Sequence, residues 1–147
     1  MSGRPDAPSM KTLLLAAALL SARFATAGPL PDELVGIWAP ENAEFRGDML
    51  LKGQAVYLDS DGVGGVIAGF GRSVIGARLV VTSFDPARRA LAFQITERGK
   101  VAGTGRFVYD RTRRVLVSDD DKKTYTLRKP GSLAAGTRQA LGLEPRR

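Results

Sequence analysis

From Leu34 to Lys129 the chain runs in short apolar segments separated by clusters of turn-forming residues, with a reversal every 10 to 15 residues or so. The clearest segment is "ALAFQITE", where Leu91, Phe93 and Ile95 alternate with Ala92, Gln94 and Thr96. That period of two belongs to a strand with one face buried. The segments "ELVGIWA" (closed by Pro40), "GVGGVIAGF", "GARLVVTSF", "VAGTGRFVY", "VLVS" and "TYTLRK" read as further strands. "MLLKGQAVYLD" reads as one interrupted strand or two adjoining ones, and "PENAEFRGD" before it as a loop. The turns between strands are "DSDG", "DPARR", "RGK", "DRTRR" and "DDDKK". A helical stripe is expected only in "SLAAGTRQALGL", where Leu133, Ala140 and Leu141 form a weak apolar face that Gly136 and Thr137 interrupt.

This pattern predicts an all-β fold, an antiparallel up-and-down meander of about eight strands. Such short strands must protect their edges, and closure into a barrel does so completely; a two-sheet sandwich is the second arrangement. Paired glycines at Gly64 and Gly65, Gly69 and Gly71, and Gly103 and Gly105 permit the coiling that a small barrel needs. The expected organisation is a signal segment over 1–27, a barrel domain over 28–130 and a C-terminal tail over 131–147, with a short helix in the tail.

The signal segment is read from three features in order. Arg4 and Lys11 give a basic start, "LLLAAALL" an apolar core, and "ATA" small residues before a cut between Ala27 and Gly28. Met1 and Met10 are both acceptable starts. The apolar core falls short of the roughly 20 residues that span a bilayer, so the protein is expected to be exported rather than membrane-spanning. A bacterial periplasmic location follows from export without cysteine, since small extracellular eukaryotic domains usually rely on disulfides.

The chain has no cysteine and no histidine among its 147 residues. These absences remove Cys–His and Ser–His nucleophile pairs, cysteine or histidine zinc sites, and histidine-ligated haem. Setting aside Arg4, Lys11, Arg23 and Asp6 reduces the net charge from +7 to about +5. That is ordinary for a soluble small domain, where roughly 2 to 8 charges of either sign keep the surface solvated. Nucleic acid is not an expected partner, because export removes the chain from most of it and no aromatic-rich basic strand is present.

The acidic clusters are the first candidates for a site. Asp59 and Asp61 begin like a calcium loop, but Gly62, Val63, Gly64 and Gly65 follow, and the position that should carry a bidentate glutamate is Phe70. A hairpin tip accounts for every residue. "SDDDK" at Ser118–Lys122 reads as a solvated loop, and "RGD" at Arg46–Asp48 as a chance tripeptide. No metal, cofactor or catalytic group is expected, and the protein is not read as an enzyme. In a meander, alternate turns share one end. That gathers Arg88, Arg89, Arg111, Arg113 and Arg114 at one rim, either as a site for carboxylate or phosphate or paired with Asp59, Asp61, Asp85 and Asp110.

The single tryptophan lies in Gly36-Ile37-Trp38. This resembles the Gly-x-Trp signature of the lipocalin-like barrels. The resemblance implies that Trp38 closes one barrel end with an arginine from a late strand packed across it, for which Arg128 in "TYTLRK" is the candidate. The Thr-Asp-Tyr motif of that family is absent. The resemblance further implies binding of a small apolar or amphipathic molecule in the barrel mouth. On simple alternation, Tyr57, Phe93, Phe107, Tyr109 and Tyr125 are candidates for the lining, although a slip in register would reverse them. The alternative is an interaction protein with a solid core, docking on another envelope protein through the arginine rim.

Overall fold

The computed structural model describes residues 29–70 and 73–145. The expected signal segment lies outside these residues. Among the described residues are nine strands, β1 (Gly36–Ala39), β2 (Glu44–Arg46), β3 (Met49–Leu58), β4 (Val63–Phe70), β5 (Ser73–Asp85), β6 (Ala90–Glu97), β7 (Lys100–Asp110), β8 (Val115–Ser118) and β9 (Thr124–Pro130). A 3-10 turn, Asp32–Leu34, precedes them and helix α1, Ala135–Ala140, follows. Neighbours from β3 to β9 pair antiparallel in chain order, and β1 pairs with both β9 and β3. Eight strands thereby close a barrel with no free edge between them; β2 stands outside the ring and pairs only with β3.

The expected meander, closure and short C-terminal helix are all present. Two local readings change. Part of the loop read in "PENAEFRGD" forms the short strand β2, and "MLLKGQAVYLD" holds one continuous strand, β3, with a register shift near its start.

Two apolar cores lie on opposite sides of the barrel wall. The inner one contains Leu34, Trp38, Val56, Leu58, Leu79, Val81, Leu91, Phe93, Phe107, Tyr109, Leu116 and Tyr125. The period of two places them: Val56 faces Trp38 across β3 and β1, and Tyr109 faces Leu116 across β7 and β8. The outer core joins Ile37, Ala55, Tyr57, Val63 and Ile67 to Leu50 of β3 and to Leu133 and Leu143, which flank α1. The C-terminal segment therefore covers the outer face of β1, β3 and β4, which explains why those strands are apolar on both faces. Each large aliphatic side chain so buried stabilises the fold by about 1.5–3 kcal/mol.

Two bonded clusters fix that cover. The Asp48 carboxylate accepts from Lys129 Nζ at 2.8 and 2.9 Å and from Thr137 Oγ1 at 3.1 Å, while its carbonyl accepts from the Tyr57 hydroxyl at 2.6 Å. This one residue of the β2–β3 turn ties together β3, β9 and α1. At the far side, Arg138 Nη1 donates to Asp59 Oδ2 at 2.7 Å with both side chains buried. Arg138 also donates to the Glu144 carbonyl at 2.6 and 3.0 Å, and Asp59 accepts from the backbone N–H of Ser60 and Leu133.

Candidate functional site

The two ends of the barrel differ. One end is stoppered by the segment before β1. Leu34 and Trp38 are fully buried there, and Trp38 Nε1 donates to the Leu34 carbonyl at 3.0 Å. Tyr109 meets the indole edge-on at 6.0 Å between ring centres. A side chain on Gly36, whose φ is 149°, would run into the Lys129 carbonyl oxygen, so the chain can cross this closed end only with glycine.

Arg128 does not cover Trp38. A register shift between Leu127 and Lys129 sets Leu127 opposite Trp38. Arg128 instead donates to the carbonyls of Pro40 and Ala43 at 2.8 and 3.0 Å and lies over the Phe45 ring at 5.2 Å. The expected arginine–tryptophan packing is replaced by an arginine that anchors the chain leaving β1. Alternation is the physical reason: Tyr125 and Leu127 point inward, so Arg128 falls on the outer face.

The other end holds a cavity of about 380 Å³. Its lining includes Val56, Val66, Ala68, Ile75, Ala77, Phe93, Ile95 and Phe107, with Gln54, Glu97, Ser118 and Tyr125 as the polar members. The floor is aromatic. Phe93 and Phe107 stack at 4.9 Å, and Tyr125 meets Phe107 edge-on at 5.5 Å. Space exists because the inward positions beside these rings are small. Gly103 stands opposite Ile95 and Gly105 opposite Phe93, and a Cβ at Gly105 would lie 2.5 Å from Phe93 Cζ. The Phe93 ring occupies the place that a side chain at Gly105 would take.

Of the five expected lining residues, the structure brings Phe93, Phe107 and Tyr125 together at the cavity. Tyr109 is interior but belongs to the closed end, against Trp38. Tyr57 is corrected: it faces outward, in the core under the C-terminal segment. Both faces of β3 are apolar here, so alternation alone does not show which face is inside. Burial pushes the Tyr57 hydroxyl up to about 12, with a backbone hydrogen bond from Leu50 opposing and the Asp48 charge adding to the rise.

Polar groups gather where β1 ends. Val56 and Leu127 lie opposite Trp38, and the next inward positions on the two flanking strands are Gln54 and Tyr125. Gln54 Oε1 accepts from Lys123 Nζ at 2.8 Å and from the Tyr125 hydroxyl at 3.4 Å. These bonds bridge β3 and β9 above the last residue of β1. Burial raises the pKa of Tyr125, and the charge of Asp121 adds to the effect, so the hydroxyl keeps its proton and remains a donor at neutral pH. The Lys123–Gln54 contact joins residues 69 apart, and no local sequence signal marks it.

The arginine rim lies at the closed end. The Tyr109 N–H donates to the Arg89 carbonyl at 2.9 Å, which sets the "DPARR" turn against the start of "DRTRR". The two turns share a build. Asp85 Oδ1 accepts from the N–H of Ala87 and Arg88, Asp110 Oδ1 accepts from that of Arg113, and Arg89 and Arg114 have φ of 53° and 57°. Arg113 approaches Asp110 and Arg111 approaches Glu33, each at 3.8 Å. Among the described residues, Arg88, Arg89 and Arg114 have no ion pair. Asp59 and Asp61, placed at this rim from the sequence as partners for these arginines, bind Arg138 instead.

The DSDG stretch is a hairpin turn, closed by Gly62 N–H to the Asp59 carbonyl at 3.0 Å. Among the described residues no group of three carboxylates is placed to hold a metal, and no helix is long and apolar enough to cross a membrane. Neither the protein-family models nor the curated proteins and solved structures compared with this chain match it.

Proposed function

We propose that this chain is an exported, lipocalin-like binding protein that carries a small apolar or amphipathic molecule in the open end of its barrel. The observation that carries the reading is the asymmetry of the barrel. One end is packed with Leu34, Trp38 and Tyr109, and the other keeps an apolar cavity of about 380 Å³ floored by aromatic rings. Natural small-molecule sites are concave, mostly apolar and roughly 300–1,000 Å³. A carrier needs no catalytic group, in keeping with a chain that lacks histidine and cysteine. Export from the cytoplasm through the segment 1–27 belongs to the same proposal.

Native mass spectrometry of the secreted protein tests this reading. The expected result is a 1:1 adduct that mild activation releases, and that is lost when Ala77→Phe fills the cavity. A mass equal to the bare chain, unchanged after incubation with medium-chain lipids, contradicts it.

A second reading is supported by the rim, where among the described residues Arg88, Arg89 and Arg114 have no carboxylate partner. There the closed end docks on an acidic surface of another envelope protein. Serine at Arg88, Arg89, Arg111, Arg113 and Arg114 should then abolish co-purification of that partner without altering the cavity. Unchanged co-purification rules it out.

A further inference from the structure

The polar groups at the cavity lip are not evenly divided between donors and acceptors. Lys123 brings an ammonium with three donors, Tyr125 a hydroxyl and Gln54 an amide NH2. The one acceptor they share, Gln54 Oε1, is already used twice. The charge of Asp121 reaches both Lys123 and Tyr125, but its oxygens and those of Asp119 are bonded within their own turn. Asp121 Oδ1 accepts from the Lys123 N–H at 3.0 Å and Asp121 also bonds to the Ser118 side chain, while Asp119 pairs with Lys122 at 3.4 Å. The acid in the cavity lining itself is Glu97, which lies on the exposed β6–β7 hairpin.

We propose that the molecule held in the cavity is an anionic amphiphile, with its apolar tail over Phe93 and Phe107 and its acidic head at Lys123, Tyr125 and Gln54. This rests on the ligand-binding reading above and names the chemical class that the site takes. The head replaces Gln54 Oε1 as the acceptor for the ammonium and the tyrosine hydroxyl, and gives the Gln54 amide an acceptor of its own. A charged head gains on a neutral one because hydrogen bonds to ionised groups are the stronger kind. The tail gains from leaving water, and it does so equally for a neutral analogue.

The test compares decanoate with 1-decanol, two ligands with the same number of carbons, by calorimetric titration of delipidated protein at neutral pH. Decanoate should bind about tenfold more tightly than decanol, the margin that one charge-assisted contact provides. Lys123→Met should erase that margin, and an unchanged urea-unfolding midpoint shows that the variant is folded. Tyr125→Phe should erase part of it. Equal affinity for the two ligands in the unaltered protein, or a preference for decanoate that survives Lys123→Met, overturns the head-group assignment and leaves the cavity as an apolar site. Binding of neither ligand overturns the underlying reading as well.

Discussion

The Asp59 carboxylate and the Arg138 guanidinium meet at 2.7 Å, with side-chain exposures of 0% and 5%. They join the first barrel hairpin to the C-terminal helix across 79 residues of sequence. A pair taken so fully from water is kept in place by its further bonds, Arg138 to Glu144 and Asp59 to Ser60 and Leu133.

Arg138→Met takes the guanidinium from the buried Asp59 carboxylate, whereas Asp59→Asn leaves Arg138 paired with Asp61 at 3.3 Å. Arg138→Met should therefore destabilise the fold by about 3–5 kcal/mol, and Asp59→Asn by less. The double variant should lose clearly less than the sum of the two, because the carboxylate that suffers from Arg138→Met is then absent. Urea unfolding followed by Trp38 fluorescence measures all three. Losses that add fully would show that the pair has no joint role.

Asp48 makes the acid side of the stability curve predictable. The Lys129 hydrogen bond, aided by that of Thr137 and the lysine charge, holds its carboxyl below the usual value of 3.8 against a smaller opposing effect of burial. A carboxyl with a lowered folded pKa stabilises fully above its unfolded pKa and loses that contribution as pH falls through the folded one. Asp48→Asn should thus cost about 1 kcal/mol at pH 7, a modest figure because Lys129 is more than half exposed, and progressively less below pH 4. Melting temperatures of the two proteins from pH 7 to pH 2 should converge. A constant gap would place the stabilisation elsewhere.

Gly105 and Phe93 should behave as one unit. Gly105→Ala forces its Cβ onto the Phe93 ring, which must swing into the cavity or strain the strand, at a cost of about 1–3 kcal/mol. Phe93→Ala alone should cost about 3–5 kcal/mol by leaving a void. Placing Gly105→Ala on the Phe93→Ala background should add almost nothing, as thermal unfolding will show. An unchanged penalty on that background would mean that the ring does not fill the glycine's place.

How far the sequence reveals this molecule depends on which interactions are local. Leu91, Phe93 and Ile95 alternate because one face of β6 meets solvent, so both the strand and its inward face were legible. In β3 both Val56 and Tyr57 are buried, one inside the barrel and one under Leu133 and Leu143. Alternation carries no information on such a strand, so it does not tell that Tyr57 points outward. Trp38 lies at the closed end, but Arg128 follows the inward Tyr125 and Leu127 and so falls on the outer face, away from it. Lys123–Gln54 and Asp59–Arg138 join distant positions through ordinary surface residue types, and only the closed ring brings them together.

The central claim is that the open end of the barrel is a binding cavity, and titration of the delipidated protein with the neutral fluorophore N-phenyl-1-naphthylamine addresses it most directly. Saturable enhancement with one site per chain, abolished by Ala77→Phe in a protein that melts no lower than the parent, is the predicted outcome. Fluorescence that never saturates, or that Ala77→Phe leaves unchanged, would contradict it.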